Sequence, residues 1–368
     1  MRPEPRLRFV SALLAAVTAL ALAAAPVGAA GPSVWVVASG LDNARGIAVG
    51  HDGRIYFAEA GTGGPGGYGT TGRISVIDHG RAHVFAAGLP SALSPEGDVT
   101  GPVNVAFTHD TTLAIVGAGP QALNPVFDSV VRARAGTVVA NIQAYVNAHP
   151  DTTDVDRPPN PTDSNAYGAA SLGEDRVLVT DAANNTLLLV GPGGRIQTVA
   201  KFPNEVVSTA HLPMPLPPRL PAEAVPTSVA IGPDGYWYVG ELKGFPFTPG
   251  ESRIWRIAPW ARNATCSQAH PSGGCALWMD GFTSITGLGF GPDGALYVVE
   301  IVKQGVFGLF SGTDAVGALY RVWHGQRTEL IPGRLTLPAD VAVARDGTVY
   351  VTNNSVSSGA GEVLAIKR

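Results

Sequence analysis

One repeated unit recurs six times along this chain of 368 residues and limits its fold more than any other feature. In every copy a short apolar run leads to an acidic residue seven positions after the start, and a second β-rich run follows. No gap is needed between position one and position fourteen of any copy, which indicates two strands joined by a tight turn. The copies start at Arg45, Val103, Tyr167, Thr227, Thr286 and Ala339.

Two further strands complete each unit. Third strands are predicted at Arg73–Ile77, Thr186–Val190, Arg253–Ile257 and Ala318–Val322. Fourth strands are predicted at His83–Ala87 and Ile196–Ala200. Four antiparallel strands repeated six times predict an all-β fold, a six-bladed β-propeller of four-stranded antiparallel blades. The 46 glycines and 30 prolines fit many short strands joined by turns, and exclude a coiled coil or a helical bundle.

The two ends of the repeat array predict how the ring closes. The last copy ends with its third strand, Glu362–Arg368, and lacks a fourth. The segment Val34–Leu41 resembles the fourth strand of the first copy. We therefore expect the N-terminal strand to complete the last blade and to close the ring, so that residues 31–368 form a single propeller domain.

The first thirty residues have the pattern of a cleaved signal peptide. Arg2, Arg6 and Arg8 precede the apolar stretch Phe9–Ala25, and small residues near Ala29 and Ala30 suit cleavage. We interpret residues 1–30 as a signal peptide and the mature protein as secreted, with no membrane span after signal removal. The formal net charge of −4 argues against nucleic acid as a partner.

The chain has two cysteines, Cys266 and Cys275, in a hydrophilic loop. In a secreted chain, a disulfide that closes this loop is the favoured interpretation. The alternative, a reactive or metal-binding pair, lacks further cysteines and has only His270 nearby.

The start of the first strand and the end of the second should emerge on the same face of a propeller, so positions one and fifteen share a rim. The insertions predicted to leave this rim are Ala60–Gly72, Gly119–Ala135, Lys243–Ser252 and Val302–Gly317. Loops on one face of a rigid ring commonly carry binding sites. The ligand-binding candidates on this face are Arg45, Tyr167, Thr227, Phe247, Thr286, Glu300 and Asn353.

Four carboxylates stand at position fifteen: Glu59, Asp181, Glu241 and Glu300. They could converge to bind calcium or to act as a general base. Alternatively each stabilises its own loop, with Arg73 pairing Glu59, Arg253 pairing Glu241, and Asp181 bonding the turn at Asn184 and Asn185. Glu300 has Ala318 at the place of the arginine, so it is the better candidate for function.

The units resemble NHL-type propeller repeats and, more specifically, the ScyD/ScyE family. The strings that carry this resemblance are Asp163–Gly168, Val179–Ala182, Pro226–Gly235, Val239–Phe247 and Tyr350–Asn354. That family is named from gene clusters for scytonemin, an extracellular cyanobacterial pigment, and its members resemble exported propellers. The resemblance implies a secreted binding or scaffold protein that recognises a small molecule, a glycan or a protein.

Calcium-dependent gluconolactonases resemble this chain in fold, but they place acid and amide ligands at the starts of the inner strands. In this chain the residues at those starts are poor ligands for a hard cation. Suitable amide or acid side chains lie only one or two residues away, at Asn104, Asp340 and Asn165. We therefore expect a non-catalytic propeller that binds a ligand. A purely structural envelope protein would have the same sequence features. A lactonase or other hydrolase with a divalent cation, such as calcium, near Glu300, Asp340 and Asn104 is the alternative.

Overall fold

The computed structural model describes residues 31–155, 158–310 and 315–368, and these residues form the six-bladed β-propeller that the repeat predicts. The predicted signal peptide lies outside the described residues. The predicted third and fourth strands fall within observed strands, except that Arg368 lies just beyond the last one. No helix in the described ranges is long and apolar enough to cross a membrane.

The strands are numbered along the chain, and those of each blade run outward from the central channel. The N-terminal strand is β1, Ser33–Leu41. Blade 1 comprises β2 Ala44–Val49, β3 Ile55–Glu59, β4 Tyr68–Asp78, β5 Arg81–Leu93 and β6 Val99–Thr100. Blade 2 comprises β7 Pro102–Phe107, β8 Thr112–Val116, β9 Ser129–Arg132 and β10 Val138–Asn141, followed by helix α1 Ile142–Ala148. Blade 3 comprises β11 Ala166–Gly173, β12 Arg176–Asp181, β13 Thr186–Val190 and β14 Ile196–Lys201.

A hairpin separates blades 3 and 4, and its strands are β15 Glu205–Ser208 and β16 Arg219–Ala222. Blade 4 comprises β17 Pro226–Ile231, β18 Trp237–Glu241, β19 Ser252–Ile257 and, after the short β20 Ala264–Thr265 that pairs with β14, the outer strand β21 Cys275–Phe282. Blade 5 comprises β22 Ile285–Phe290, β23 Leu296–Glu300, helix α2 Phe307–Phe310, β24 Ala318–Trp323 and β25 Gln326–Leu330. Blade 6 comprises β26 Val341–Val343, β27 Val349–Asn353, β28 Gly361–Lys367 and β1.

The N-terminal strand closes the ring, as predicted. β1 pairs antiparallel with β28, with Val34 opposite Ile366 and Leu41 opposite Gly361. Each inner strand contacts the inner strands of both neighbouring blades, including β26 against β2. The core lies between the blades, where apolar faces of adjacent sheets pack together, as with Leu178 of blade 3 and Trp255 of blade 4.

The repeated acid organises the turn between the two inner strands. In blade 1, Asp52 Oδ1 accepts a hydrogen bond of 3.0 Å from the Arg54 N–H. Asp234, Asp293 and Asp346 accept the equivalent bond from the residue two positions on. The glycine after the acid has a positive φ, 79° at Gly53, which a residue with a side chain rarely adopts.

Two features of the connections differ from expectation. The predicted insertion Gly119–Ala135 contains β9, whose buried Ser129–Val131 is followed by the exposed Arg132 and Arg134, so charge masks the apolar pattern. The segment between blades 3 and 4 carries the β15–β16 hairpin, which the repeat does not predict. Its many prolines hide the strand pattern.

Candidate functional site

Positions one and fifteen share one rim, as expected from the strand directions. The residue just before position one pairs with position fifteen in blades 1, 3, 4 and 5, for example Ala44 with Glu59 and Ile285 with Glu300. The loops between second and third strands leave from this rim. We call it the loop face.

Glu59 has the arginine partner that the repeat predicts. Arg73 Nε donates to Glu59 Oε1 at 2.8 Å, and Ser75 Oγ donates to the same oxygen at 2.6 Å. The Asp42 N–H donates to Glu59 Oε2 at 3.0 Å. This buried carboxylate therefore links β3 to β4 and to the segment that follows β1.

The predicted pair of Glu241 with Arg253 is wrong. Glu241 instead forms an ion pair of 2.9 Å with Lys243, two residues further along its own chain segment. Trp255 Nε1 donates to Glu241 Oε1 at 2.5 Å. Arg253 pairs with Glu205 and Glu251, because the unpredicted β15 brings Glu205 against blade 4.

Asp181 organises its own loop, as predicted, although the bonds differ in part. Its Oδ1 accepts from the N–H groups of Asn165, Ala183 and Asn184, at 2.9 to 3.2 Å. Burial raises the pKa of this carboxyl, and the backbone hydrogen bonds oppose that shift. The Asn185 side chain donates to Asp151 Oδ2 and to a backbone carbonyl rather than to Asp181.

Glu300 lacks an ion-pair partner among the described residues, as expected from Ala318. Its Oε1 accepts a hydrogen bond of 2.7 Å from the Thr283 N–H, and the Tyr320 hydroxyl lies within hydrogen-bonding reach. Burial raises the pKa of Glu300 to about 7, against the opposing Thr283 bond and the charges of Arg327 and Lys303. Glu300 thus faces the outer strands of blade 5, a different environment from that of Asp340.

The central channel has a pattern that the sequence analysis missed. Position two alternates around the ring between glycine and a polar residue, which can be read from the aligned repeats. Glycine stands in blades 1, 3 and 5, as Gly46, Gly168 and Gly287, and the polar residues of blades 2, 4 and 6 are Asn104, Ser228 and Asp340. These three polar residues line one cavity of about 40 Å³, together with Thr227 and Thr286.

The glycines leave space for the polar side chains. A Cβ added at Gly46 would lie 2.4 Å from Asn104 Cγ, and one at Gly287 would lie 2.6 Å from Asp340 Oδ1. The Ser228 and Thr286 hydroxyls are buried in the cavity without a hydrogen-bond partner among the described residues. Their donors and acceptors suit a bound water molecule or another small polar species.

Asp340 is the ionisable group of this cavity. Its Oδ1 accepts from the Val341 N–H at 2.8 Å, and its Oδ2 accepts from the Ile47 N–H at 3.1 Å. Burial raises the pKa of Asp340 to about 7, and these backbone bonds and the Asn104 amide oppose the shift. Asp340 and Asn104 are therefore brought together, as the metal hypothesis requires, whereas Glu300 has other partners.

This donor set does not match a divalent-cation site. The cavity has one carboxylate among the described residues, and each of its oxygens already accepts a backbone hydrogen bond. Asn104 Oδ1 accepts from the Val105 N–H at 2.8 Å, so it too is engaged. In the part of the chain that the structure describes, no group of three or more His, Cys, Asp or Glu side chains could hold a metal ion. A calcium ion prefers six to eight oxygen ligands, several of them carboxylate.

The remaining position-one candidates contact residues outside their own strands. Arg45 donates to the Val99 carbonyl at 3.1 Å and also contacts the Tyr167 hydroxyl. Burial raises the pKa of Tyr167, against the nearby charge of Arg45. Thr227 Oγ1 donates to the Ile285 carbonyl at 2.6 Å.

Asn353 ends strand β27, and Phe247 lies in the loop between β18 and β19. Asn353 Nδ2 donates to Glu362 at 2.8 Å, while its Oδ1 accepts from the Thr336 N–H. Phe247 is half-buried and packs edge-to-face on the exposed Phe245, with ring centroids 6.0 Å apart. The Asn353 amide is therefore engaged at both ends.

The disulfide is confirmed. Cys266 and Cys275 are joined, with their Cα atoms 5.3 Å apart, and both are buried in the core between blades 3 and 4.

A groove of about 760 Å³ lies beside blade 3, and no sequence-based candidate residue lines it. It runs between the segment that follows blade 2 and the outer strands of blade 3. We call it the blade 3 groove, lined by 145, 149–153, 184–186, 196–198, 201–203 and 262–263. Its volume is within the range of small-molecule binding sites. The polar pair Asn184–Asn185, placed between two apolar strands, is a sequence signal that could have indicated it.

Helix α1 fixes one wall of this groove. Asn141 caps the helix by accepting from the Ala144 N–H, and Ile142 and Val146 are buried in the core. The Tyr145 hydroxyl is 2.9 Å from Thr198 Oγ1 on β14, so the helix is bonded to the facing strand. The ring of His149 stacks on Tyr145 with centroids 4.1 Å apart. The wall is therefore held in place before any ligand binds.

No family model matches this chain, and no curated protein sequence matches it. Solved structures do resemble it. One is an oxidoreductase (glucose dehydrogenase) from Thermus thermophilus, which is 18% identical with a TM-score of 0.54 and covers 91% of this chain and 100% of its own.

Two further structures are similar to this chain at lower sequence identity. The soluble aldose sugar dehydrogenase of Escherichia coli is 12% identical with a TM-score of 0.54, covering 91% of this chain and 99% of its own. A protein of unknown function from Bacteroides thetaiotaomicron is 12% identical with a TM-score of 0.50, covering 92% of this chain and 72% of its own. At these identities the similarity extends to the fold alone. The chain is thus a six-bladed β-propeller of the architecture that these proteins share.

Proposed function

We propose that this chain is a secreted, ScyD/ScyE-like propeller that binds a ligand in the blade 3 groove, beside its loop face. The observation that carries the proposal is the groove itself, an open site of about 760 Å³ with a wall that tertiary contacts hold in place. A preformed site loses less entropy when a ligand binds, which favours affinity.

Most carboxylates at position fifteen already have partners within the fold, which supports ligand binding over metal-dependent catalysis. Glu59, Asp181 and Glu241 are each held by partners within the fold. Glu300 forms no ion pair with a described residue. The groups that it contacts, however, are not those that contact Asp340. The signal-peptide pattern and the resemblance to exported propellers support secretion, and the disulfide is compatible with an oxidising compartment.

A cation-dependent hydrolase of the gluconolactonase type is the second candidate. The observation that favours it is the cavity in which Asp340, Asn104, Ser228 and Thr286 meet. The single carboxylate that the described residues place there is the reason that we rank it second.

The binding proposal is tested by a ligand screen with a variant that fills the groove. We expect ligand-observed NMR with a diverse set of soluble metabolites to find binders of residues 31–368. Thr152 is exposed in the groove, so Thr152→Trp should abolish their binding by occupying the space. Thr328→Trp places the same side chain at an exposed position on the outer strand of blade 5 and should leave binding unchanged. The absence of any binder, or binders indifferent to Thr152→Trp, would contradict the proposal.

A further inference from the structure

The floor of the blade 3 groove contains two buried polar groups that nothing in the described chain satisfies. Asn184 and Thr186 are 6% and 4% exposed, and both line the groove. Asn184 Nδ2 and Thr186 Oγ1 have no hydrogen-bond partner among the described residues. A buried polar group without a partner is destabilising, so two of them in one groove point to a ligand that supplies hydrogen bonds.

The chemistry of the floor indicates a neutral, hydroxyl-rich ligand. An amide N–H donor beside a hydroxyl, which both donates and accepts, matches the hydroxyl groups of a sugar. Three charged residues of the described chain line the groove: Lys201 and Arg262 are exposed, and the half-buried Asp151 accepts a hydrogen bond of 3.3 Å from Asn185 Nδ2. A phosphate or another compact anion would instead require cationic groups at its contact points.

The wall of the groove supplies the apolar part of the same recognition. Tyr145 and His149 stack with an interplanar angle of 18°, and His149 is exposed. His149 Nδ1 lies 2.9 Å from the Tyr145 carbonyl oxygen, which fixes the imidazole. A rigid aromatic surface next to polar groups suits a ligand with a C–H face and hydroxyl edges.

We infer that the blade 3 groove binds a carbohydrate, with Asn184 and Thr186 bonded to its hydroxyl groups and the Tyr145–His149 pair packed against a sugar ring. This inference rests on the proposed function and names the class of its ligand. Asn184 and Thr186 are thus binding residues. Asn184 Nδ2 and Thr186 Oγ1 have no partner in the described chain because the ligand supplies it.

The test uses hexasaccharides of β-1,4-linked glucose, N-acetylglucosamine, xylose and mannose, titrated calorimetrically into residues 31–368. We expect at least one to bind. Thr186→Val and Asn184→Leu remove the unpartnered polar groups at nearly constant volume and should each weaken that binding at least tenfold. His149→Ala removes the exposed imidazole together with its stacking on Tyr145, and should weaken binding several-fold. Ser228→Ala removes an unpartnered hydroxyl from the central channel instead, and should leave the affinity unchanged.

Thermal unfolding separates loss of binding from loss of folding. Because no hydrogen bond is lost, Thr186→Val should unfold at the wild-type temperature or above it. Unchanged sugar affinity in Thr186→Val, or a midpoint lowered by several degrees, would overturn the inference.

Failure of the inference is distinguishable from failure of the proposed function. If no hexasaccharide binds but other metabolites bind in a manner sensitive to Thr152→Trp, the carbohydrate assignment is wrong and the binding function stands. If neither class of ligand binds, both are wrong.

Discussion

At the scale of the residue, one position of the repeat takes four different sets of partners. Glu59 pairs with an arginine, Glu241 with a lysine, Asp181 with backbone N–H groups, and Glu300 with a single N–H and a tyrosine. Sequence predicted the first of these pairs because Arg73 opens the predicted third strand of the same blade. The predicted pair of Glu241 with Arg253 is wrong because Arg253 binds Glu205, which belongs to a hairpin outside the repeat.

Asp128 gives a pH-dependent prediction at this scale. Burial and the nearby Asp181 raise its pKa to about 8, from an ordinary value of 3.8. Between these two pH values Asp128 keeps its proton in the folded protein and loses it in the unfolded chain. The stability that protonated Asp128 gives the fold is therefore complete below about pH 4 and is lost as the pH rises through 8. Asp128→Asn cannot ionise, so its unfolding midpoint should exceed that of the wild type by a margin that grows to several degrees at pH 9.

Calorimetry at pH 5, 7 and 9 measures this margin. Asp340 and Glu300, with pKa values of about 7, change stability in the same direction in both proteins, so they cancel in the comparison. The exposed Asp98→Asn provides the control. A margin that stays constant from pH 5 to pH 9 would show that Asp128 does not titrate as described.

At the scale of the element, the strands were predictable where the repeat is regular. The third strand Thr186–Val190 and the closing strand β1 match the expectation because each contains a run of consecutive apolar residues, Leu187–Val190 and Val34–Ala38. Helix α1 and the β15–β16 hairpin were not predictable, because insertions do not share the period of the repeat. The blade 3 groove depends on α1, which explains why the site candidates drawn from the repeat did not include its residues.

The closing strand makes a prediction about cooperativity. β1 pairs with β28, and its Ala38 and Leu41 are buried in the core between blades 6 and 1. A chain that begins at Asp42 loses this strand and exposes the edge of β28. We expect its unfolding midpoint to fall by ten degrees or more, or the protein to aggregate, as measured by calorimetry and size-exclusion chromatography.

A chain that lacks only Gly31 and Pro32 is the matched control, since these residues precede the strand. It should unfold at the temperature of the full mature chain. A chain beginning at Asp42 that remained monomeric with an unchanged midpoint would refute the role of β1 in closing the ring.

At the scale of the whole molecule, the repeat predicted the architecture but not the position of the site. Six copies in register specify a closed ring and one loop face, so the fold follows from the strand pattern alone. The contacts around the channel and in the groove join residues far apart in sequence, such as Ile47 and Asp340 of the adjacent blades 1 and 6. The alternation of glycine with polar residues at position two was readable from the repeats, and it is the sequence signal that points most directly to the channel cavity.

The central claim is that this propeller binds a ligand and does not use a divalent cation in its channel for hydrolysis. Thermal unfolding of residues 31–368 in calcium, and then in excess chelator, tests it most directly. A cation that binds only the folded state would raise the midpoint by mass action. We predict the same midpoint in both conditions, because Asp340 is the sole carboxylate that the described residues place in the cavity. A calcium-dependent rise of several degrees that Asp340→Asn removes, accompanied by calcium-dependent lactone hydrolysis, would contradict the claim.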